Sequence, residues 1–465
     1  MGEIVVTAPY DGAEIGTVPT TDASDIEAAL DAAYGIYRNR ASWIPKARRI
    51  TILRRTAELI RERRQDLAIA AAREGGKPLR DSLVEIDRAA DGVDTCIEQL
   101  RNEAGSVIPM RVNPASSGRI AFTQYEPIGV VVAVSAFNHP FNLIVHQVAP
   151  AIATGCPVIV KPAATTPLSC RAFLDILYEA GLPETHARMV MPETHEQATA
   201  MVADPRVGFF SFIGSSRVGW MLRSKLAPGA RCALEHGGVA PVIVAGDADL
   251  DSALPRLAKG GFYHAGQVCV SVQRIFCERN IAQSVAEGLV QQARIMTVGD
   301  PTEADTDIGP LITHAECDRV DSWVEEARAT GASILSGGGK LSSSCYKPTV
   351  IYDPEPGAKV STQEVFGPVI CVYPVDSVDE GIERANSLPV SFQASVFTRD
   401  LDTAMRCYRH LDGTAVMVND HTAFRVDWMP FAGARTSGHG VGGIPYTMHE
   451  MQTEKMMVWR SDVLN

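Results

Sequence analysis

Two residues define the chemistry open to this chain. Cys269 sits in Gly266-Gln267-Val268-Cys269-Val270-Ser271-Val272-Gln273-Arg274-Ile275, a glycine-flanked turn that opens onto an alternating apolar segment. Glu235 lies 34 positions upstream, in Leu234-Glu235-His236-Gly237-Gly238, between an apolar run and paired glycines. A thiol that ionises is the strongest common side-chain nucleophile, and a nearby carboxylate can relay protons for it. Partial burial beside Leu234 would raise the Glu235 pKa toward neutrality, where a base works best. A structural cysteine and a solvated loop acid are the plain alternatives.

The elements that must position these groups alternate along the chain. Residues 25–71 and 86–103 read as amphipathic helices, with Pro45 between two of them. Arg119 to Tyr125 alternates like an exposed strand. Ile128 to Val134 is a continuous apolar run, as expected of a strand buried on both faces. Asn142 to Ala153 follows as a helix that Pro150 should interrupt, then Pro157 to Val160 as strand and Pro167 to Ala180 as helix. Residues 189–191 and 207–213 continue as strands, 196–202 and 216–226 as helices. Such alternation implies an α/β fold with a doubly wound, Rossmann-like parallel sheet. A second α/β stretch follows Gly238, with helices over 249–263, 281–295 and 317–330, a strand over 274–277, a strand-rich 359–373 and a late strand over 416–419. The alternating tail, residues 454–460, would be an unsafe free edge and is expected to pair, with its own chain or another subunit.

Composition narrows the function classes. With 465 residues, 46% hydrophobic and 21% charged, the chain suits two or three ordinary globular domains. A net charge of −12 gives no sign of a nucleic-acid or acidic-membrane surface, and neither partner is expected. No apolar run reaches membrane-spanning length, and residues 1–9 lack a secretory pattern. The ten cysteines include no CxxC pair, which argues against zinc and disulfides, predicts no bound metal, and fits a reducing cytoplasm. HExxH, Walker A and GxSxG patterns are absent. Gly438-His439-Gly440-Val441-Gly442-Gly443 satisfies GxGxxG but follows no buried strand, so the dinucleotide fingerprint lacks its context.

Gly266-Gln267 before Cys269, with Ser271 and Arg274 after it, match the nucleophile signature of the aldehyde dehydrogenase superfamily, which the chain resembles from about Thr20 to Met457. The resemblance implies a thiolate attack on an aldehyde, hydride transfer to a nicotinamide, and a thioester hydrolysed with Glu235 as base. CoA-acylating relatives usually lack that acid. His236 stands where the family has Leu. Asn138, in Ala136-Phe137-Asn138-His139-Pro140, resembles the oxyanion asparagine, although an Asn before His-Pro is more often a turn residue. Lys161 resembles the lysine on the adenosine ribose, Gly214 and Ser215 the loop beneath the pyrophosphate, and Glu364 and Phe366 the segment at the nicotinamide ribose and ring. Ala164 leaves no acid to repel a 2′-phosphate, so NAD is expected and NADP is admitted. The segments around Asn138 and Asp420 to Trp428 resemble a branch that includes lactaldehyde, non-phosphorylating glyceraldehyde-3-phosphate and phosphonoacetaldehyde dehydrogenases. There His139 and Arg425 are candidates for an anionic or hydroxylated substrate; a helix cap and a surface ion pair are their plain alternatives. Val268 replaces an Arg that phosphonate-oxidising relatives can carry.

The family fold implies a cofactor domain over 1–111 and 126–236, a catalytic domain over 237–440, and a small β oligomerisation element over 112–125 and 445–465. It also implies a homodimer or homotetramer. Two other readings stand beside a hydrolytic dehydrogenase of small polar aldehydes: a CoA-acylating semialdehyde dehydrogenase, and a silent dinucleotide-binding or structural protein.

Overall fold

The computed structural model describes residues 2–464. Four helices, Ala23–Arg38, Lys46–Glu62, Arg64–Gly75 and Leu79–Asn102, precede the first large sheet. The first starts where the Asp22 carboxylate accepts the Asp25 N–H at 2.9 Å.

That sheet has six strands, in the order Gly438–His439, Arg231–Glu235, Val207–Ile213, Val130–Val134, Val158–Lys161, Ala187–Met189. All pair in parallel except the short Gly438–His439. Val130–Val134 is apolar on both faces because both are covered. Val131 and Ala133 share one core with Ile52, Val93 and Ile144, while Val130 and Val132 share another with Ile26 and Leu30. The chain enters at Val130–Val134, winds to one side through Val158–Lys161 and Ala187–Met189, then crosses to Val207–Ile213 on the other. Between the two central strands the direction of winding reverses, and loops at their carboxyl ends diverge to leave a crevice.

A second sheet has seven strands, in the order Ser333–Ser336, Thr349–Tyr352, Val369–Val375, Arg274–Glu278, Pro241–Val244, Gln393–Phe397, Ala415–Val418. Only Ser333–Ser336 runs antiparallel. Its core includes Ile243, Leu257, Ile275, Leu289 and Val372. A third sheet joins Gln452–Arg460 to Arg119–Pro127 along the full length of both strands, with Val107–Ile108 beyond. The alternating tail thus finds its partner within its own chain.

Several expectations are corrected. Pro150 does not interrupt its helix, which runs unbroken over Asn142–Thr154. Almost every side chain of that helix is buried, so packing outweighs the one lost hydrogen bond. Residues 359–373 are less strand-rich than expected: a helical turn, Lys359–Thr362, and a loop precede the strand Val369–Val375. The strands Pro241–Val244, Thr349–Tyr352 and Gln393–Phe397 and the hairpin Glu3–Thr7/Glu14–Pro19 were not anticipated. The helix Ile444–Glu450 buries Ile444 and Met448 in the first sheet's core. Among the described residues no helix is long and apolar enough to cross a membrane, and no group of three or more His, Cys, Asp or Glu could hold a metal ion.

Candidate active site

The carboxyl ends of the first sheet's strands face the second sheet across a cleft of about 900 Å³. Asn138, His139, Gly214, Ser215, Glu235, Cys269, Glu364, Phe366 and Arg425 all line it. Strand ends place most of the first-sheet residues. The loop after Val130–Val134 carries Asn138, the loop after Val207–Ile213 carries Gly214, and Glu235 is the last residue of its strand.

The turn that carries Cys269 is held by its backbone. His264, Ala265 and Gly266 have φ of 50°, 52° and 70°, three successive left-handed residues that reverse the chain after the helix Leu250–Phe262. At Gly266 a Cβ would also overlap the carbonyl of Gly367, so both conformation and space require glycine. Gln267 braces this turn. Its Nε2 donates to the carbonyls of His264 and Pro310, each at 3.2 Å, and its Oε1 accepts the Ile312 N–H at 2.9 Å. The Asn138 Nδ2 donates to the Gln267 carbonyl at 2.9 Å. The amide is therefore tied to the backbone two residues before Cys269, and its second N–H is directed elsewhere.

Cys269 is the one half-buried cysteine; the other nine are buried, and all ten are free thiols. Burial pushes the Cys269 thiol up to about 12; Glu364 and Glu235 add to the shift and Arg425 opposes it. The resting group is a neutral thiol. Burial also raises Glu235, again opposed by Arg425. The Glu235 carboxylate occupies the space a Cβ on Gly442 would need, so this glycine of the rejected GxGxxG pattern makes room for the carboxylate. Around it, Gly438–His439 pairs antiparallel to Leu234 and Glu235, a setting unlike a phosphate-binding turn.

The cofactor candidates fit a dinucleotide. The helix Ser216–Arg223 starts at Ser215 with no side-chain cap, leaving first-turn N–H groups for phosphate oxygens. Glu364 lies against Gly237, and its Oε1 is buried without a partner. Burial raises this carboxyl to about 8, and hydroxyl donors at its unpartnered oxygen would favour the carboxylate and bring it back down. The Phe366 ring meets Phe137 edge-on at 5.8 Å. Lys161 ends its strand with Nζ 3.3 Å from the Pro162 carbonyl, and burial lowers its pKa; Thr165, rather than Lys161, lines this end of the cleft.

His139 and Arg425 differ from their plain alternatives. The His139 side chain caps no helix; its Nε2 lies 3.0 Å from the Tyr263 hydroxyl. Burial, then Lys77, holds its pKa well below the ordinary range, so the ring is neutral. Arg425 is not at the surface. Its guanidinium carbon lies 3.5 Å from the Phe431 ring centroid, and its Nε is buried without a partner. Asp427, 3.8 Å from Arg425, is occupied by Arg88 at 2.6 and 3.1 Å and by His146 at 2.7 Å. Sequence reasoning missed Gln267's bracing role, Arg88, His146, Tyr263 and Asp427. Only Gln267 had a local signal, its place in the cysteine motif.

His236, where the family has Leu, lies beside the helix Ser216–Arg223. Its Nδ1 lies 3.0 Å from the Thr436 carbonyl, which also accepts Ser216 Oγ at 2.9 Å and Trp220 Nε1 at 3.0 Å. The ring fills the gap at Gly219 between Phe212 and Trp220.

The carboxyl ends of a doubly wound sheet thus open onto a cleft that holds a thiol, a carboxylate and a fixed amide, an arrangement suited to an oxidoreductase. Residues 2–457 match the model of the aldehyde dehydrogenase family. The chain is 37% identical over 442 residues to the 3-sulfolactaldehyde dehydrogenase of Priestia aryabhattai, covering 95% of this chain and 91% of that one. It is 34% identical to the lactaldehyde dehydrogenase of Methanocaldococcus jannaschii, covering 97% and 96%. Among solved structures, glyceraldehyde-3-phosphate dehydrogenase GapN from M. jannaschii complexed with NADP superimposes with a TM-score of 0.93 at 33% identity, over 98% of this chain and 99% of that one. The chain belongs to the aldehyde dehydrogenase family and oxidises aldehydes with NAD or NADP.

Proposed function

We propose that this enzyme oxidises a small polar aldehyde, hydroxylated or anionic, to the free carboxylic acid. The observation that carries the reading is that Cys269, Glu235 and the Asn138 amide share one cleft, with the amide tied to the nucleophile's own turn. Relatives named for lactaldehyde and sulfolactaldehyde support the substrate class.

Cys269 Sγ attacks the aldehyde carbon, and the thiol proton leaves through water in the cleft. The carbonyl oxygen becomes an alkoxide, which accepts hydrogen bonds from the free Asn138 N–H and the Cys269 backbone N–H. Collapse of the alkoxide expels a hydride and leaves a Cys269 thioester. When bound, the nicotinamide supplies the two-electron acceptor for that hydride. Glu235, its pKa raised by burial, then takes a proton from a water whose oxygen attacks the thioester carbon. The C–S bond breaks, the thiol is restored and the acid leaves. Glu364 and the start of Ser216–Arg223 would hold the ribose and phosphates, with Lys161 at the adenosine side. Arg425 is read as the group that faces the substrate's polar end, and neutral His139 with Tyr263 as its hydroxyl partners.

The cofactor domain is assigned to residues 1–111 and 126–236, the catalytic domain to 237–440, and the oligomerisation element to 112–125 and 445–465. The outer edge of Gln452–Arg460, where Met456, Met457 and Trp459 are exposed, is read as the joining surface of a cytoplasmic homodimer or homotetramer. The test is NAD(P)H formation from lactaldehyde, glyceraldehyde 3-phosphate, phosphonoacetaldehyde, succinic semialdehyde and simple aliphatic aldehydes, each with either dinucleotide, with and without CoA. Turnover of a polar aldehyde without CoA is expected. An absolute CoA requirement would replace hydrolysis with acyl transfer, and silence across the panel would reject the substrate class.

A further inference from the structure

Two helices flank the cleft's oxyanion and adenosine ends, and neither caps itself. Asn142–Thr154 follows the Asn138 loop, and Pro167–Glu179 follows the loop after Lys161; no side chain of the preceding residues, Phe141 and Thr166, bonds their first turns. Both are capped from a distance by carboxylates of one segment. Glu85 Oε1 accepts the N–H groups of Phe141 and Asn142, each at 2.9 Å. Its other oxygen pairs with Lys77, and both side chains are fully buried. Glu74, 1% exposed, accepts the Leu168 N–H, the Ser169 N–H at 3.0 Å and the Ser169 hydroxyl at 2.6 Å.

The same segment reaches the nucleophile's turn. Gly76 adopts a φ of 76° and packs against Pro310, whose carbonyl accepts from Gln267. Gly75 lies against Pro140 and the carbonyl of Phe137, one residue before Asn138. A buried ion pair is weak evidence of stability, because desolvating both charges offsets their attraction. Its value lies in fixing geometry: a carboxylate pinned by Lys77 holds two backbone N–H groups in one place, three residues beyond the catalytic amide.

We infer that the segment Glu74–Glu85 is a positioning clamp, in which Glu85, seated by Lys77, sets the Asn138 amide and Glu74 sets the loop that follows Lys161. The inference rests on the roles proposed above for Asn138 and Lys161. Glu74, Lys77 and Glu85 are not among the residues that line the cleft; they act through the loops they cap.

The test uses the full chain and a double-mutant cycle. Glu85→Gln leaves Lys77 buried and unpaired, so Lys77→Met/Glu85→Gln is made alongside it; the neutral pair retains an oxygen for the two N–H groups and survives if the single variant does not fold. Both are expected to lower kcat about tenfold to a hundredfold, the effect of misplacing a catalytic group by a fraction of an ångström to an ångström. Dinucleotide Kd should stay within about twofold, and neither change should lower kcat further once Asn138→Ala is present, because residues acting through one group do not add. Glu74→Gln should show the opposite split, with dinucleotide Kd raised about tenfold, as for one lost charge-assisted bond, and a smaller change in kcat. Losses that add fully to those of Asn138→Ala, or kcat and Kd moving together with melting temperature in both variants, would overturn the clamp. An unchanged kcat in Asn138→Ala alone would instead sink the oxyanion assignment beneath it.

Discussion

Replacing Glu235 by Gln separates the two halves of the proposed reaction. The side chains match in size, so the space beside Gly442 stays filled and the strand Arg231–Glu235 is undisturbed. What disappears is one negative charge and one base. Glu235 contributes to the upward shift of the Cys269 thiol, so neutralising it makes the thiolate easier to form. Thioester formation should therefore be as fast as in the parent or faster. Hydrolysis loses its general base, a step worth about 10²–10⁴ in rate, or about 3–5 kcal/mol. Stopped-flow NAD(P)H absorbance should show a burst of about one equivalent per active site, then steady turnover lower by about 10²–10⁴. In the parent, the raised Glu235 pKa means that hydrolysis needs the deprotonated carboxylate and gains rate as pH rises through that pKa; in Glu235→Gln this limb should vanish. Loss of the burst by the same factor as the steady rate would refute the reasoning and make Glu235 the base for the thiol instead.

Three further outcomes are expected. Arg425→Met should raise the KM of an anionic aldehyde about 10–100-fold, the worth of one hydrogen bond to a charged group, and leave an uncharged aldehyde nearly unchanged; equal losses for both would remove Arg425 from the substrate's polar end. Asp427→Asn should destabilise the fold by about 3–5 kcal/mol at neutral pH, because Arg88 and Arg425 lose their buried counter-charge. Burial alone would raise Asp427, but His146 and Arg88 hold it far below its ordinary 3.8, so the parent's advantage is full above that value and shrinks as pH falls below it; denaturant midpoints across pH would show a constant difference if this is wrong. Gly266→Ala combines a left-handed backbone with a blocked Cβ and should cost more than about 1 kcal/mol while slowing thiol labelling or turnover at Cys269; a stable, fully active variant would show the turn to be tolerant.

The legible parts of this protein were the local ones. The continuous apolar run ending at Val134 announced a strand covered on both faces, and the Gly266–Arg274 motif announced a tight turn around Cys269. The strand Gln393–Phe397 was not legible, because its apolar pattern was short and its neighbour Pro241–Val244 comes from a distant part of the chain. Pro150 misled for the opposite reason: a strong local rule was overridden by a helix buried almost all round.

Covalent chemistry is written into residue types. A thiol beside Gly266-Gln267 and an acid before Gly237-Gly238 can be read as candidates without coordinates, because the capacity to act as nucleophile or base belongs to single side chains and their immediate turns. Electrostatic setting is a property of neighbours, and the neighbours here are remote. His146 and Asp427 are 281 positions apart, Arg88 and Asp427 are 339 apart, and Asn138 reaches Gln267 across 129. Only the folded chain decides that His139 is neutral, that Arg425 stacks on Phe431 inside the cleft, and that Glu85 holds the loop of Asn138. Burial and pairing set those states, and both arise only when distant segments close around one cleft.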